Sequence, residues 1–486
     1  MSATAMNDIE ERLAELEQLG LSRRLRMVSG PQGPRVLLDG KPVLLLCSNN
    51  YLGLADHPRV REAAADAAMR WGVGAGSSRL VSGTMTVHRR LENGLAAFKG
   101  TEACVLFGSG YLANLGVIGA LSGPNGVVFS DELNHASIVD GCRLSRAEVI
   151  VYRHRDVDHL EWCLRRHGQR AARRLIATDS VFSMDGDVAP LGDIVELGEM
   201  YDARVMVDEA HATGNLGPGG RGAVADAGLE RRVDAVVGTL GKALGSYGAY
   251  VCASEEMVRY MVNSARSLIF STALGPPAVA GALAALELMK ERPHRIWRLR
   301  SNARVLRAAL AEEGFPVGES EMHIVPLVVG DSRDAMALCQ RAIERGVFAQ
   351  AIRPPTVPDG TSRLRLTAMA SHTPAELEQA ARVLGDAARE LGLEPEEMLP
   401  AVQEPVERVP EVVRELDLLP DAEIAVRRIT GAAAPFDLER DGDASSFDVS
   451  AALATETVAE PGSVAEEVEL DAEGAPFDFE RDSRAA

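Results

Sequence analysis

Between residues 103 and 253 the chain alternates short apolar runs with longer amphipathic stretches. The runs at 103–107, 126–129, 148–151, 174–178, 204–207, 235–237 and 249–253 have strand length, and most are separated by helical periodicity. Alternation of this kind predicts a mostly parallel sheet with helices on both faces. Ligands of such sheets bind beyond the carboxyl ends of the strands. Several chemically capable residues fall there: His135 after 126–129, Ser183 after 174–178, Asp208 and His211 after 204–207, and Lys242 after 235–237.

Upstream, residues 8–19 read as an amphipathic helix with Ile9, Leu13, Leu16 and Leu19 on one stripe, followed by Arg23, Arg24 and Arg26. Runs 36–38 and 43–46 form a hairpin pattern around Asp39-Gly40 and lead into the polar corner Ser48-Asn49-Asn50-Tyr51-Leu52-Gly53-Leu54. Helices are expected at 58–71 and 88–99. The glycine-rich segment 72–79 lacks the lysine of a nucleotide loop and follows a helix, which argues against that reading. The turn Gly108-Ser109-Gly110-Tyr111 has the right context, between a strand and a helix. Its backbone N–H groups make an anion site without a cationic side chain.

Downstream, residues 276–313 read as helical. Strands at 323–329, 345–349 and 363–366 with helices at 334–344 and 373–391 predict a smaller α/β domain. The expected divisions are an N-terminal helix and arm (1–57), a large domain (58–290), a small C-terminal domain (291–395) and an acidic tail (396–486). From Ala401 onward there are 22 acidic and 7 basic residues, a net of −15 out of the chain's −20. That stretch carries two near-identical octads, 434–441 and 475–482, in a composition that predicts disorder. They read either as docking motifs or as a duplicated linker. Neither part has the basic surface that nucleic acid demands. No signal pattern opens the chain, and no apolar run reaches membrane-span length, so neither nucleic acid nor membrane is expected as a partner. Six scattered cysteines without a CxxC pair read as reduced thiols of a cytoplasmic protein.

Lys242 lies among small residues, in Gly238-Thr239-Leu240-Gly241-Lys242-Ala243-Leu244-Gly245-Ser246. A flat ligand could approach the backbone there. A desolvated lysine has a lowered pKa and a free amine able to form a Schiff base; the plain alternative is a solvated loop lysine. Asp208 could pair with a protonated pyridine nitrogen, His211 could hydrogen-bond the ring's phenolic oxygen, and His135 offers a flat face for stacking. Gly110, Tyr111 and Thr239 would hold a phosphate, with Ser271 and Thr272 as further donors across a subunit boundary. This is the inventory of a pyridoxal phosphate site. Asp208 and His211 could instead ligate a metal, but no second histidine lies at ligand spacing, and no metal is expected.

The ordered motifs Ser48–Leu54, Ser109–Asn114, Asn134-His135-Ala136-Ser137, Val181–Asp187, Val207-Asp208-Glu209-Ala210-His211 and Thr239–Gly245 resemble those of the α-oxoamine synthases over about residues 20–390. The resemblance implies a fold-type I pyridoxal-phosphate transferase: a large domain on a mostly parallel seven-stranded sheet, a smaller α/β C-terminal domain and a homodimer with its site at the subunit interface. It implies Lys242, His135 and Asp208 as catalytic residues. Gly110, Tyr111, His135, Ser183, Asp208, His211, Thr239, Lys242 and Thr272 would hold the cofactor. Arg23 (or Arg24), Asn49, His135, Arg353, Thr356 and Arg365 would hold substrate, Arg365 taking the amino-acid carboxylate. The segment Ala351-Ile352-Arg353-Pro354-Pro355-Thr356-Val357-Pro358 is similar to that of members condensing L-alanine with a pimeloyl thioester of coenzyme A or an acyl carrier protein. A serine- or glycine-using member and a silent scaffold subunit are the alternatives.

Overall fold

The computed structural model of the chain describes residues 3–168, 171–318 and 320–400. The octads and nearly all of the acidic tail lie outside them. Seven strands form the central sheet: β1 (Ala103–Phe107), β2 (Gly126–Asp131), β3 (Glu148–Tyr152), β4 (Arg173–Asp179), β5 (Arg204–Asp208), β6 (Ala235–Thr239) and β7 (Ala249–Ala253). Their order is β1-β7-β6-β5-β4-β2-β3. All neighbours are parallel except β7, which runs antiparallel to both β1 and β6.

The side-chain period of two splits each strand between two cores. Leu106, Val127, Phe129, Ile176, Val205, Val207 and Val236 face one. Val105, Val128, Leu175, Ala177, Met206 and Val237 face the other. Burial on both faces is why these strands read as unbroken apolar runs, and why helices cover the sheet on each side.

A third core lies between the hairpin Arg35–Leu38/Lys41–Leu45, the helices His294–Glu312, Ser332–Glu344 and Pro374–Glu390, and a three-stranded antiparallel sheet. In that sheet Ser362–Thr367 is central, between Ile324–Gly330 and Gln350–Ile352. Two expectations change in detail. The helical stretch 276–313 is two helices, Pro276–Glu291 and His294–Glu312, because Pro293 cannot continue the first. The single strand expected at 345–349 is two. Val347–Phe348 joins the hairpin sheet beside Lys41–Leu45, and Gln350–Ile352 crosses to Ser362–Thr367. That crossing delivers Gln350 and Ile352 to the functional site. Leu46 and Tyr51 accept backbone bonds from Thr367 (2.6 Å) and Ala370 (2.7 Å), so the polar corner lies against the strand that carries Arg365.

Candidate active site

Strand register decides which loops meet. Ala249 is abreast of both Phe107 and Thr239. Asp208 is abreast of Asp179 and Val237. The loops after β1, β4, β5 and β6 therefore leave one end of the sheet. A cavity of about 220 Å³ opens there, lined by Cys47, Asn49, His135, Ser183, Met184, His211, Lys242, Gln350, Ile352 and Arg365. Six residues expected from the sequence thus converge: Asn49, His135, Ser183, His211, Lys242 and Arg365.

Lys242 Nζ lies 2.8 Å from His211 Nε2. Burial lowers the Lys242 pKa to about 8; Asp208 and Asp179 oppose the fall and Arg365 adds to it. The amine is thus poised to exchange a proton near neutrality. Burial, with Lys242 and Arg365 nearby, holds His211 well below the usual histidine range, so its imidazole is neutral.

Asp208, buried at the end of β5, accepts from Asn114 Nδ2 (2.7 Å) at Oδ2 and from the Ala210 N–H (2.8 Å) at Oδ1. The neighbouring Asp179 accepts the His135 N–H at 2.8 Å, and burial together with the Asp208 charge pushes its pKa well up. The donors around His135 set its tautomer. Its Nδ1 accepts from the Ser137 N–H (3.2 Å). The Ser137 hydroxyl, itself accepting from Asn114 (2.8 Å), donates to the same nitrogen (2.6 Å). The proton of His135 is then on Nε2.

At the end of β1, Ser109 caps the helix Gly110–Leu121 by accepting from the Leu112 N–H. The N–H groups of Gly110 and Tyr111 have no intrahelical acceptor. A Cβ built on Gly110 would meet only open space, which leaves room for an anion. The Tyr111 hydroxyl is committed to Asp140. Thr239 accepts from the Gly241 N–H (3.1 Å) and donates to the Gly248 carbonyl (3.2 Å), shaping the turn before Lys242. Thr272 is not in the Lys242 cavity. It lines a small cleft with Arg79, Gly108 and Ser271, beside the Gly110 turn.

Arg365 is 6% exposed. Its Nε donates to the Ser183 carbonyl, and its Nη1 to Asn49 Oδ1 (3.3 Å) and Thr367 Oγ1 (3.2 Å). Its Nη2 is buried without a partner. A buried guanidinium with a spare donor on a cavity wall is built for an anion. Arg353 is placed differently. Its guanidinium donates to the Gly20 and Ser22 carbonyls and holds the N-terminal arm. Arg23 is exposed and donates to the Pro354 carbonyl (3.1 Å), and Thr356 is exposed beside it. These three do not line the cavity; Arg353 directly follows Ile352, which does, and the Thr356 N–H donates to the Arg353 carbonyl (3.1 Å).

The site also uses residues the sequence reading left aside. Asn114 orients both Asp208 and Ser137, and Asp179 anchors His135. Tyr51 Oη lies 2.6 Å from His211 Nδ1. Asn114 and Tyr51 sit inside recognisable motifs, but only the packing of the Gly110–Leu121 helix and of the 48–54 corner shows what they touch.

This is the site of a pyridoxal-phosphate enzyme on a fold-type I scaffold. The family model for class I and II aminotransferases matches residues 41–384. The 8-amino-7-oxononanoate synthase of Geobacter sulfurreducens is 52% identical over 383 residues, 78% of this chain and 98% of its own length. That of Symbiobacterium thermophilum is 48% identical, covering 79% and 98%. A serine palmitoyltransferase structure from S. paucimobilis with bound PLP superposes with a TM-score of 0.76 at 32% identity, covering 80% of this chain and 98% of that one. The chain belongs to the class I and II aminotransferase family, and within it to the α-oxoamine synthases.

Pyridoxal phosphate is the cofactor of this group. The residues present fit it: a half-buried lysine of lowered pKa, a buried carboxylate held by Asn114 for the ring nitrogen, and open N–H groups at Gly110 and Tyr111 for the phosphate.

Proposed function

We propose that the protein condenses L-alanine with a pimeloyl thioester to give 8-amino-7-oxononanoate, carbon dioxide and the free thiol carrier, a step of biotin biosynthesis. The carrying observation is the convergence of Lys242, His211, His135 and the spare donor of Arg365 on one cavity, in a chain about 50% identical to synthases of that name. When bound, the cofactor supplies an electron sink for the substrate carbanion. Asp208 would hold its ring nitrogen, Ser183 and His211 its ring substituents, and Gly110, Tyr111, Thr239 and the neighbouring Thr272 its phosphate.

Arg365 receives the amino-acid carboxylate through Nη2, with Asn49 holding the guanidinium in place. Lys242 takes the α-proton as general base, an amine whose pKa of about 8 suits that task near neutral pH. His135, with its proton on Nε2, can donate to the thioester carbonyl as the new carbon–carbon bond forms. The carbon–sulfur bond then breaks and the thiol carrier leaves, and loss of the original carboxylate as carbon dioxide with return of a proton completes the product. Arg23, Arg353 and Thr356 lie outside the cavity, in and against the segment that follows Ile352, where the acyl chain and its carrier, coenzyme A or an acyl carrier protein, would approach.

The working unit is a homodimer in the cytoplasm. Val73, Leu80, Val81 and Phe270 are exposed apolar residues beside the Ser78–Thr272 bridge and the phosphate turn, which supports a subunit contact there. The six cysteines are free thiols, which supports a reducing compartment. No helix among the described residues is long and apolar enough to cross a membrane. The likeness to serine palmitoyltransferase structures favours a second reading, with serine as the amino acid. Turnover of the purified enzyme across alanine, serine and glycine with a panel of acyl thioesters tests both. Alanine with pimeloyl thioester should lead. Silence with alanine and turnover with serine would replace the first reading by the second.

A further inference from the structure

We propose that Tyr51 is a positioning residue that sets the tautomer of His211, and so the polarity of the hydrogen bond offered to Lys242, by relaying the orientation imposed by Arg365. The inference rests on the reading of Lys242 as the reactive lysine.

Five side chains form one chain of four hydrogen bonds. Arg365 Nη1 lies 3.3 Å from Asn49 Oδ1. The Tyr51 hydroxyl is 3.0 Å from the same oxygen and 2.6 Å from His211 Nδ1. His211 Nε2 is 2.8 Å from Lys242 Nζ. Each link constrains the next. A guanidinium can only donate, so the amide atom of Asn49 facing Arg365 is its oxygen. That oxygen can only accept, so Tyr51 gives its single proton to Asn49. Having spent it, the tyrosine oxygen can only accept from His211, whose proton is therefore on Nδ1. Nε2 is left bare, and Lys242 must be the donor to it. The arginine assigned to the substrate carboxylate thus dictates, three residues away, that the imidazole accepts from the lysine.

The other polar group beside this hydroxyl is the Arg365 guanidinium, which can only donate and so cannot take the tyrosine proton. Tyr51 is fully buried. The other ring against it, that of His323, packs edge-on at 4.1 Å, and its Nδ1 accepts from Asn215 at 2.8 Å. His211 is neutral, so its tautomer is the only variable left. The charged and titratable groups acting on Lys242 and His211 are Asp208, Asp179, Arg365, His135 and His323. None of them hydrogen-bonds to His211 Nδ1. The relay is also reversible. If Asn49 ceased to accept, Tyr51 would turn its proton to His211, Nε2 would carry the hydrogen, and the imidazole would donate to a neutral lysine.

The test is ¹⁵N-histidine NMR on the full-length protein, loaded with cofactor and after its removal, with the His211 signal identified by its loss in His211→Gln. In the cofactor-free protein the His211 proton should be on Nδ1. Tyr51→Phe keeps the buried ring, and Asn49→Ala does not touch His211 in the hydrogen-bond chain; both should move the proton to Nε2. In both variants the pH midpoint for chemical labelling of Lys242, read by mass spectrometry, should fall by about one pH unit, the scale of one hydrogen bond gained by the neutral amine. A proton on Nε2 in the unaltered protein, or an Asn49→Ala variant with its tautomer unchanged, would overturn the proposal. A purely structural Tyr51 would lower stability in Tyr51→Phe while the tautomer stayed on Nδ1. None of these readouts depends on which amino acid is turned over, so an error in substrate assignment would show separately.

Discussion

Beneath the site, Lys99 is 4% exposed and Glu209 is fully buried. Lys99 Nζ donates to Glu209 Oε2, to Thr213 Oγ1 at 2.7 Å and to the Arg221 carbonyl at 2.6 Å. Glu209 Oε1 accepts the Val224 N–H at 2.7 Å. Glu209 lies between Asp208 and His211, so the pair pins the turn that carries both. Lys99→Met removes the cation and leaves a carboxylate in the core with one remaining donor. Breaking a buried pair from one side costs about 3–5 kcal/mol, a large share of the roughly 5–15 kcal/mol that holds a domain folded. Lys99→Met/Glu209→Gln removes both charges and keeps the acceptor for Val224. It should therefore be more stable than Lys99→Met by at least about 1 kcal/mol. Reversible urea unfolding of the full-length proteins measures both differences, and cofactor retained through dialysis reports the turn. Burial alone would lower the Lys99 pKa, but the Glu209 charge and hydrogen bond overcome it and the pKa rises. The contribution of the pair is thus complete at neutral pH and is lost only as pH climbs past the ordinary lysine range. A Lys99→Met protein within about 0.5 kcal/mol of the unaltered one, or a double variant no better than the single, would refute this account.

Lys242→Ala should abolish turnover and the lysine-dependent absorbance of the bound cofactor while leaving the circular dichroism spectrum unchanged. Arg365→Gln should raise KM for the amino acid about ten- to a hundred-fold, the range expected for one charge-assisted carboxylate contact, measured by steady-state kinetics. His154 bridges Asp131 (2.9 Å) and Asp187 (2.8 Å); burial would lower its pKa, but bonds to the two carboxylates raise it to about 10. Its contribution is complete below the ordinary histidine pKa and fades as pH rises through about 10. The stability deficit of His154→Gln should therefore be largest in mild acid and shrink toward alkaline pH in urea titrations. A chain ending at residue 400 should keep the turnover of the full chain, because relatives of that activity align over 94–100% of their own length within about four fifths of this one; a truncated enzyme without turnover would give the tail a catalytic part.

What could be read in advance follows from periodicity. The seven strand runs, the glycine turn before Gly110 and the small-residue slot around Lys242 are local facts, set by alternating side chains and backbone freedom. They were enough to place His135, Ser183, Asp208, His211 and Lys242 beyond the strand ends. What could not be read is how distant loops are brought together. That Arg353 holds the arm while Arg365 faces the cavity depends on which way a three-residue strand crosses from one sheet to another. That Asn114 orients Asp208 and Ser137, and that Tyr51 joins His211 to Asn49, depends on one helix and one corner packing against the sheet end. A hydrogen bond requires two groups within about 3 Å and correctly aimed, a condition between residues as far apart in the chain as 51 and 211. The sequence by itself determined the elements and the reactive residue types. Only the tertiary structure decided which donor meets which acceptor, because strand register and side-chain packing set those distances.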